Sequence, residues 1–224
     1  MPPIRINKYL AENGYCSRRE ADRLIEAGRV FINDEEARLG DKITDRDVVR
    51  VDGRDRHKKI EYVYILLNKP AGNHGTELVN VPERIFSVKH LELENEGLLL
   101  LTNDQILSKR ITHPDHDDEE EFVVTIDTPL ESKDIKQWQV GIELGNKKTD
   151  PAEVRKIDAH RFAIILHNRQ EQQIRRMCSA LGYQVTSLKR TRLLTLKMPS
   201  TYPTGNWRHL TEKEVEELKT ASRR

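Results

Sequence analysis

The apolar residues of this chain come in short blocks, and that constrains its fold more than any other feature. The longest runs, residues 62–67, 98–101 and 162–166, are four to six residues long. Blocks of that length suit buried strands, although 98–101 taken alone does not exclude helix. None approaches the ~20 residues of a bilayer-spanning helix. The first residues carry no charged start followed by an apolar stretch and a small-residue cleavage site. The expectation is a cytoplasmic protein without a membrane partner. Charged residues make up 33% of the chain and aromatics only 5%, so the surface is heavily charged. The 224 residues suffice for one or two domains with cores of useful size. Cys16 and Cys178 are its two cysteines. They lack metal or redox spacing and read as reduced, buried thiols.

The first fifty residues read as a unit of their own. Ile6 and Leu10 share a helix face, and Gly14 stops that helix. Ser17-Arg18-Arg19-Glu20 has capping-box form. Ala21, Leu24 and Ile25 continue with helical spacing up to Gly28. Val30 and Ile32 alternate as in a strand before a polar turn at 33–36, and Val49 and Val51 give another strand before the turn pair Asp52-Gly53. Residues 54–60 contain little that could be buried and read as a linker. The remainder, 61–224, reads as α+β. Strands are expected at 62–67, 97–102, 122–126 and 162–166. Gln170 to Leu181 forms a helix with Ile174, Met177, Cys178 and Leu181 on one face. Leu194, Leu196 and Met198 alternate as in a strand, and a second capping box at Thr211-Glu212-Lys213-Glu214 opens a C-terminal helix.

The net charge of +1 excludes a uniformly basic coat, but local patches survive. The first thirty residues hold Arg5, Lys8, Arg18, Arg19, Arg23 and Arg29 against four acids. A helix start flanked by two arginines is a reasonable phosphate seat. A solvated surface helix explains the same spacing, and spacing alone slightly favours it. Residues 173–192 contain Arg175, Arg176, Lys189, Arg190 and Arg192 and no acid. This is the stronger basic signal, since the planar arginine fork suits phosphate oxygens. Residues 88–122 are the reverse, with ten acids and three bases, and would repel RNA unless they pair internally.

Two clusters could carry chemistry. Glu92, Glu94 and Glu96 lie on one face if their segment is extended. Paired carboxylates do acid–base work in glycosidases, but three solvated glutamates on an edge is the better reading. His113, Asp115, His116, Asp117 and Asp118 sit in a loop marked by Pro114. They lack a second ligand pair and read as an acidic surface loop rather than a metal site. No glycine-rich phosphate loop is present. Taken alone, the residues support RNA binding and name no reaction.

The stretches Ile6-Asn7-Lys8-Tyr9-Leu10, Cys16-Ser17-Arg18-Arg19-Glu20-Ala21-Asp22 and Gly28-Arg29-Val30-Phe31-Ile32-Asn33 resemble the S-four RNA-binding domain. The match covers the first fifty residues, and the Ser-Arg-Arg helix start is the part of that module that meets RNA. The rest resembles the ribosomal pseudouridine synthases of the RsuA, RluB, RluE and RluF type. The matching pieces are Leu67-Asn68-Lys69-Pro70-Ala71-Gly72, Glu96-Gly97-Leu98-Leu99-Leu100-Leu101-Thr102-Asn103-Asp104, Gln173-Ile174-Arg175-Arg176-Met177-Cys178, Leu188-Lys189-Arg190-Thr191-Arg192 and Gly205-Asn206-Trp207-Arg208-His209-Leu210-Thr211. The resemblance implies a small S-four-like domain at 1–53, the linker, and a mixed or antiparallel-sheet synthase domain at 61–224. It further implies isomerisation of uridine to pseudouridine in ribosomal RNA or a ribosome precursor, by flipping the base into a cleft. No metal or cofactor is implied, and the protein is expected to be a monomer.

Residue by residue, the resemblance implies Glu92, Arg175 and Phe122 as the catalytic group. It implies Arg5, Asn7, Lys8, Ser17, Arg18, Arg19, Arg23, Lys69, Arg176, Lys189 and Arg190 as RNA contacts. The chain also departs from the family. Gly-Arg-Leu-Asp becomes Lys89-His90-Leu91-Glu92, moving the catalytic carboxylate one methylene outward. Lys-x-Tyr becomes Glu120-Glu121-Phe122, which keeps the stacking ring, loses its hydroxyl and reverses a charge. Asn-Arg-Gln-Ile-Arg-Arg becomes Glu171-Gln172-Gln173-Ile174-Arg175-Arg176, with one arginine missing and Arg175 as the expected partner of the carboxylate. The segment between Gly72 and Glu92 is shorter than usual. Framework positions are kept while polar site positions change. Three readings follow: an active synthase using Glu92, a non-catalytic RNA-binding paralogue acting in ribosome assembly, and a protein–protein scaffold unrelated to RNA. An intact basic module speaks against the last.

Overall fold

The computed structural model describes residues 3–13, 15–44, 46–51, 61–113, 116, 119–167, 169–170 and 172–222. The expected linker at 54–60, the turn pair Asp52-Gly53, Gly14, Asp115, Asp117, Asp118 and Glu171 lie outside the described residues. The chain forms two compact units, Met1–Tyr62 and Val63–Arg224.

The first unit runs β1 (Ile4–Arg5), α1 (Ile6–Glu12), α2 (Arg18–Glu26), β2 (Val30–Ile32), β3 (Glu35–Glu36), β4 (Lys42–Ile43) and β5 (Val49–Val51). Its core gathers Ile6 and Leu10 of α1, Ala21 and Ile25 of α2, and Val30, Ala37, Ile43 and Val49. The expected helical faces are therefore the ones buried. Ser17 caps α2 by accepting from the Glu20 amide at 3.2 Å. The reciprocal half of the expected capping box is not made. The Glu20 carboxylate turns to Arg23 instead, at 3.4 Å. Asn33 and Asp34, both at positive φ, make the two-residue turn that the β2–β3 hairpin requires. Cys16 is half-buried rather than buried.

The second unit continues with β6 (Tyr64–Lys69), β7 (Phe86–Val88), β8 (Glu96–Thr102), α3 (Gln105–Ile111), β9 (Glu119–Ile126), α4 (Ser132–Val140), β10 (Glu143–Leu144), β11 (Lys147–Lys148), β12 (Glu153–Lys156), β13 (Arg161–His167), α5 (Gln173–Ala180), β14 (Val185–Leu193), β15 (Leu196–Lys197), β16 (Trp207–His209) and α6 (Glu212–Ala221). One large sheet has the order β12-β13-β9-β14-β8-β6-β16, with β7 added to β8 and β15 to β14. Within it β14 and β8 are parallel, and the other pairs are antiparallel. Both faces of the sheet are covered. Leu99 and Leu101 pack with Phe122, Phe162, Trp138 of α4 and Ile174 and Met177 of α5. Leu98 and Leu100 face the other way, toward Leu107 and Ile111 of α3 and Leu218 of α6. A strand buried on both sides needs no polar alternation, which is why 98–101 reads as an unbroken apolar run.

The C-terminal capping box on α6 is complete. Cys178 is buried on α5, where burial pushes its thiol up to about 12. The alternation Leu194-Leu196-Met198 is not the main strand. That strand is β14, placed over the basic run itself, and Leu194 turns into β15 with φ 51°. Gly97 makes the β8–β14 approach feasible, because a Cβ there would lie 2.3 Å from the Arg190 carbonyl oxygen. Among the described residues no helix is long and apolar enough to cross a membrane.

Candidate active site

The site forms where the β7–β8 connection meets the β13–α5 connection above β9 and β14. Leu91 is fully buried and anchors the first of these loops. Residues 92–95 turn back on themselves, the Asn95 amide donating to the Glu92 carbonyl at 3.1 Å. Glu92, Glu94 and Glu96 therefore do not share the expected extended edge. Glu92 is buried, Glu94 is exposed, and Glu96 begins β8.

Every carboxylate oxygen of Glu92 accepts a hydrogen bond. Oε1 takes Arg169 Nη1 at 2.7 Å and the Gln172 amide at 3.2 Å, and Oε2 takes Asn95 Nδ2 at 2.8 Å. Burial pushes this carboxyl up, but the charge and hydrogen bond of Arg169 outweigh it and hold the group at about 2, below its ordinary 4.5. Arg169, with a side chain only 6% exposed, also places Nε 3.6 Å from Glu120 Oε1. It donates to the His90 carbonyl at 3.3 Å. Its guanidinium carbon lies 5.1 Å from the centroid of the Phe122 ring, within cation–π range. Glu120 is fully buried and its Oε2 accepts from Arg190 Nη1 at 2.8 Å. A chain of alternating charge, Glu92–Arg169–Glu120–Arg190, thus runs through the site.

Several sequence expectations need correction here. Arg175 does not pair with Glu92. It donates to Asn95 Oδ1 at 2.9 Å and to the Val185 carbonyl at 3.1 Å, so it reaches Glu92 only through the Asn95 amide. Arg169 holds the position expected of it. Phe122 has no exposed face, since it belongs to the apolar core and the Arg169 guanidinium lies over its ring. Arg190 is not a surface contact either. It is fully buried, donating to the carbonyls of Leu98 at 2.7 Å and Lys89 at 2.9 Å as well as to Glu120. Lys69 is likewise fully buried, with Nζ donating to the carbonyls of Pro70 at 3.0 Å and Leu93 at 3.2 Å, and burial lowers its pKa. The basic run of β14 is further neutralised by Arg192, which pairs with Glu119 at 2.7 Å and Glu121 at 3.2 Å. Glu119, Glu120 and Glu121 of the acidic run thus pair with Arg190 and Arg192 of the basic run across the β9–β14 ladder.

The remaining expected RNA contacts lie at the surface. Arg176 is exposed on α5 and Lys189 half-exposed on β14. In the first unit Arg5, Arg18, Arg19 and Arg23 are exposed, and Lys8 and Ser17 are half-buried. Asn7 ties α1 to α2 by donating to Asp22 Oδ1 at 2.8 Å. Arg18 and Arg19 stand in the first turn of α2, where the helix dipole adds to their positive charge. Among the described residues no cluster of His, Cys, Asp and Glu could hold a metal ion.

Arg169 and the buried role of Glu120 are the functional features that the sequence reading missed. The available signals were the two departures from the family pattern noted above, an acid at 120 and Gln172 in place of an arginine, with Arg169 three residues upstream.

The pKa of Glu92 gives a stability prediction. Its folded value lies below its unfolded one, so its stabilisation is complete above about pH 4.5 and is lost as pH falls toward 2. A shift of that size corresponds to about 3 kcal/mol. Urea unfolding across this window is expected to lose about that much more stability in the wild type than in Glu92→Gln. Glu214, held at about 2 by its hydrogen bond from Arg208, titrates equally in both.

Comparison with known proteins identifies the family and the fold. Residues 4–49 match the S4 domain. The chain is 39% identical to the dual-specificity RNA pseudouridine synthase RluF of Salmonella typhi, over 96% of its own length and 78% of that protein. It is 31% identical to the ribosomal large subunit pseudouridine synthase B of Bacillus subtilis, over 96% and 95% of the two chains. A crystal structure of a pseudouridylate synthase superposes with a TM-score of 0.71 at 28% identity, covering 96% of this chain and 99% of that one. The chain therefore belongs to the RNA pseudouridine synthase family, with an S4 domain in its first unit.

Proposed function

We propose that the protein binds ribosomal RNA, or a ribosome precursor, and that its synthase site holds RNA without isomerising uridine at an appreciable rate. One observation carries this reading. A single guanidinium, Arg169, covers the Phe122 ring while bound to Glu92 and facing Glu120. A base entering to stack on the ring must first displace a cation held by two buried carboxylates. The ring carries no hydroxyl, and the carboxylate stands one methylene further out than an aspartate would. Misplacement of about 1 Å costs on the order of a hundredfold in rate. The protein is proposed to act in the cytoplasm as a monomer. Two free cysteines suit a reducing compartment, and the cores are filled by the chain's own side chains.

A second reading, an active synthase with Glu92 as the reacting carboxylate and Arg175 supporting it through Asn95, is favoured by the intact ion pair between Glu92 and Arg169. Pseudouridine mapping of ribosomal RNA from cells with and without the protein separates the two, with reverse-transcription stops after carbodiimide treatment as the readout. An unchanged map is expected. A site lost with the protein, restored by wild type and not by Glu92→Ala, would establish catalysis and overturn the first reading.

RNA binding is expected to weaken linearly in log–log salt titrations as counterions return. Arg18→Ala/Arg19→Ala should flatten that slope by about two, one phosphate contact per arginine, without altering the melting of the second unit. An unchanged slope would remove α2 from the interface.

A further inference from the structure

The rim of the active site carries two imidazoles that the charge network does not use. His74 lies in the loop after β6, and His90 lies two residues before Glu92. Both are exposed. Their ring centroids are 6.5 Å apart with planes inclined by 30°. At the same 30° inclination the buried pair Trp138 and Phe162 stacks at 4.5 Å. The rings are tilted rather than stacked, and their spacing is close to twice the ~3.4 Å rise between stacked bases, so rotation of these exposed side chains toward parallel would admit a third ring between them. We propose that His74 and His90 form a clamp for one unpaired RNA base at the mouth of the site.

Both backbones are fixed in advance. The His74 amide donates to Glu77 Oε1 at 2.8 Å. The next residue, Gly75, has φ 99°, and a Cβ there would lie 2.6 Å from Leu99 Cδ2, so this loop is pressed onto the sheet. On the other side Lys89 takes the left-handed conformation, φ 53°, which is uncommon for a side chain of its size. Its carbonyl accepts from the fully buried Arg190 at 2.9 Å. The His90 carbonyl accepts from Arg169 at 3.3 Å. Strained backbone that persists because buried groups hold it is a feature of functional loops. Here the buried ion-pair chain supports the loop that presents His90. The two backbones, fixed before binding, lose little entropy when a base enters. Any base has a π-face to stack, so the clamp grips without reading sequence. It would also retain a strand whose base is not admitted past Arg169.

This inference rests on the RNA-binding reading, and its test separates the two. The probe is a single-stranded oligoribonucleotide of pyrimidines with one 2-aminopurine, added to the full-length protein. Wild type is expected to bind it in a salt-sensitive manner and to quench the fluorophore. His74→Ala/His90→Ala should lose the quench and bind roughly tenfold more weakly, the scale of one base–aromatic stack, with thermal melting unchanged because both rings are exposed. His74→Phe/His90→Phe keeps the rings without the imidazole nitrogens and should restore both quench and affinity. If the phenylalanine variant behaves like the alanine one, the imidazoles act through charge or hydrogen bonding and the clamp is wrong. A quench that survives in the alanine variant, with binding intact, also refutes the clamp and leaves RNA binding standing. Absence of salt-sensitive binding by wild type sinks both.

Discussion

Arg169→Ala is expected to destabilise the second unit by about 3–5 kcal/mol, the cost of breaking a buried ion pair from one side. The side chain serves two carboxylates at once. Glu92 loses its strongest donor at 2.7 Å, and Glu120, 1% exposed, loses the cation that faces its Oε1 at 3.6 Å. Glu120 keeps Arg190, so the larger share of the cost falls on Glu92. Burial of that carboxyl is then opposed by neutral donors and by the more distant charges of Arg190 and Lys69, and its pKa should rise above about 2. Urea unfolding at pH 7 measures the first effect, and a carbon-detected titration of the Glu92 side chain measures the second. Arg169→Lys is a poor rescue, since one ammonium cannot span both carboxylates as the planar fork does. The double variant Arg169→Ala/Glu120→Gln should fall short of the sum of the single losses by roughly 1–3 kcal/mol, because the two sites share one interaction. A loss under about 1 kcal/mol for Arg169→Ala would mean that water replaces the guanidinium, and the cover over Phe122 would then not be a barrier to a base.

The framework was legible in the sequence because its signals are local. Ile6 with Leu10 and Ala21 with Ile25 show their helix faces by spacing, Ser17 and Thr211 announce two helix starts, and 98–101 shows a buried element that the structure makes a strand covered on both sides. The site was legible only as a neighbourhood. Glu92 and Arg175 both lie in it, but the arginine that touches Glu92 is Arg169, a side chain 77 positions away in sequence. Periodicity carries no such information. The same holds for β14. Lys189, Arg190 and Arg192 read as one basic run, yet alternation sends Arg190 inward, and the ladder with β9 sets Arg190 opposite Phe122 and Arg192 opposite Glu121. The register shift between Arg190 and Arg192 re-aims the following side chain, as bulges do. Charge tallies over a segment could not reveal that the acids of β9 pair with Arg190 and Arg192 of β14. Those ion pairs are a property of strand pairing.

Arg190 provides the sharpest contrast between sequence and structure. Arg190→Met is expected to cost about 3–5 kcal/mol in unfolding free energy, while Lys189→Ala beside it should change stability by less than about 0.5 kcal/mol. Methionine fills much of the volume but offers no donor. The carbonyls of Leu98 and Lys89 and one oxygen of Glu120 then lose partners at 2.7, 2.9 and 2.8 Å, inside a sheet that admits little water. Glu120→Gln on the same background should recover part of the loss, since the buried negative charge is removed with its cation. A local consequence follows from Lys89. Its left-handed backbone is held by the bond from Arg190, so without that bond the strain favours relaxation of residues 89–92, and Glu92 and His90 move with them. Arg190→Met should therefore lower the 2-aminopurine quench at urea concentrations where the protein is still folded. Lys189→Ala should alter only the salt slope. If Arg190→Met instead left stability untouched and weakened RNA binding alone, its guanidinium would be reaching RNA rather than bracing the site from below.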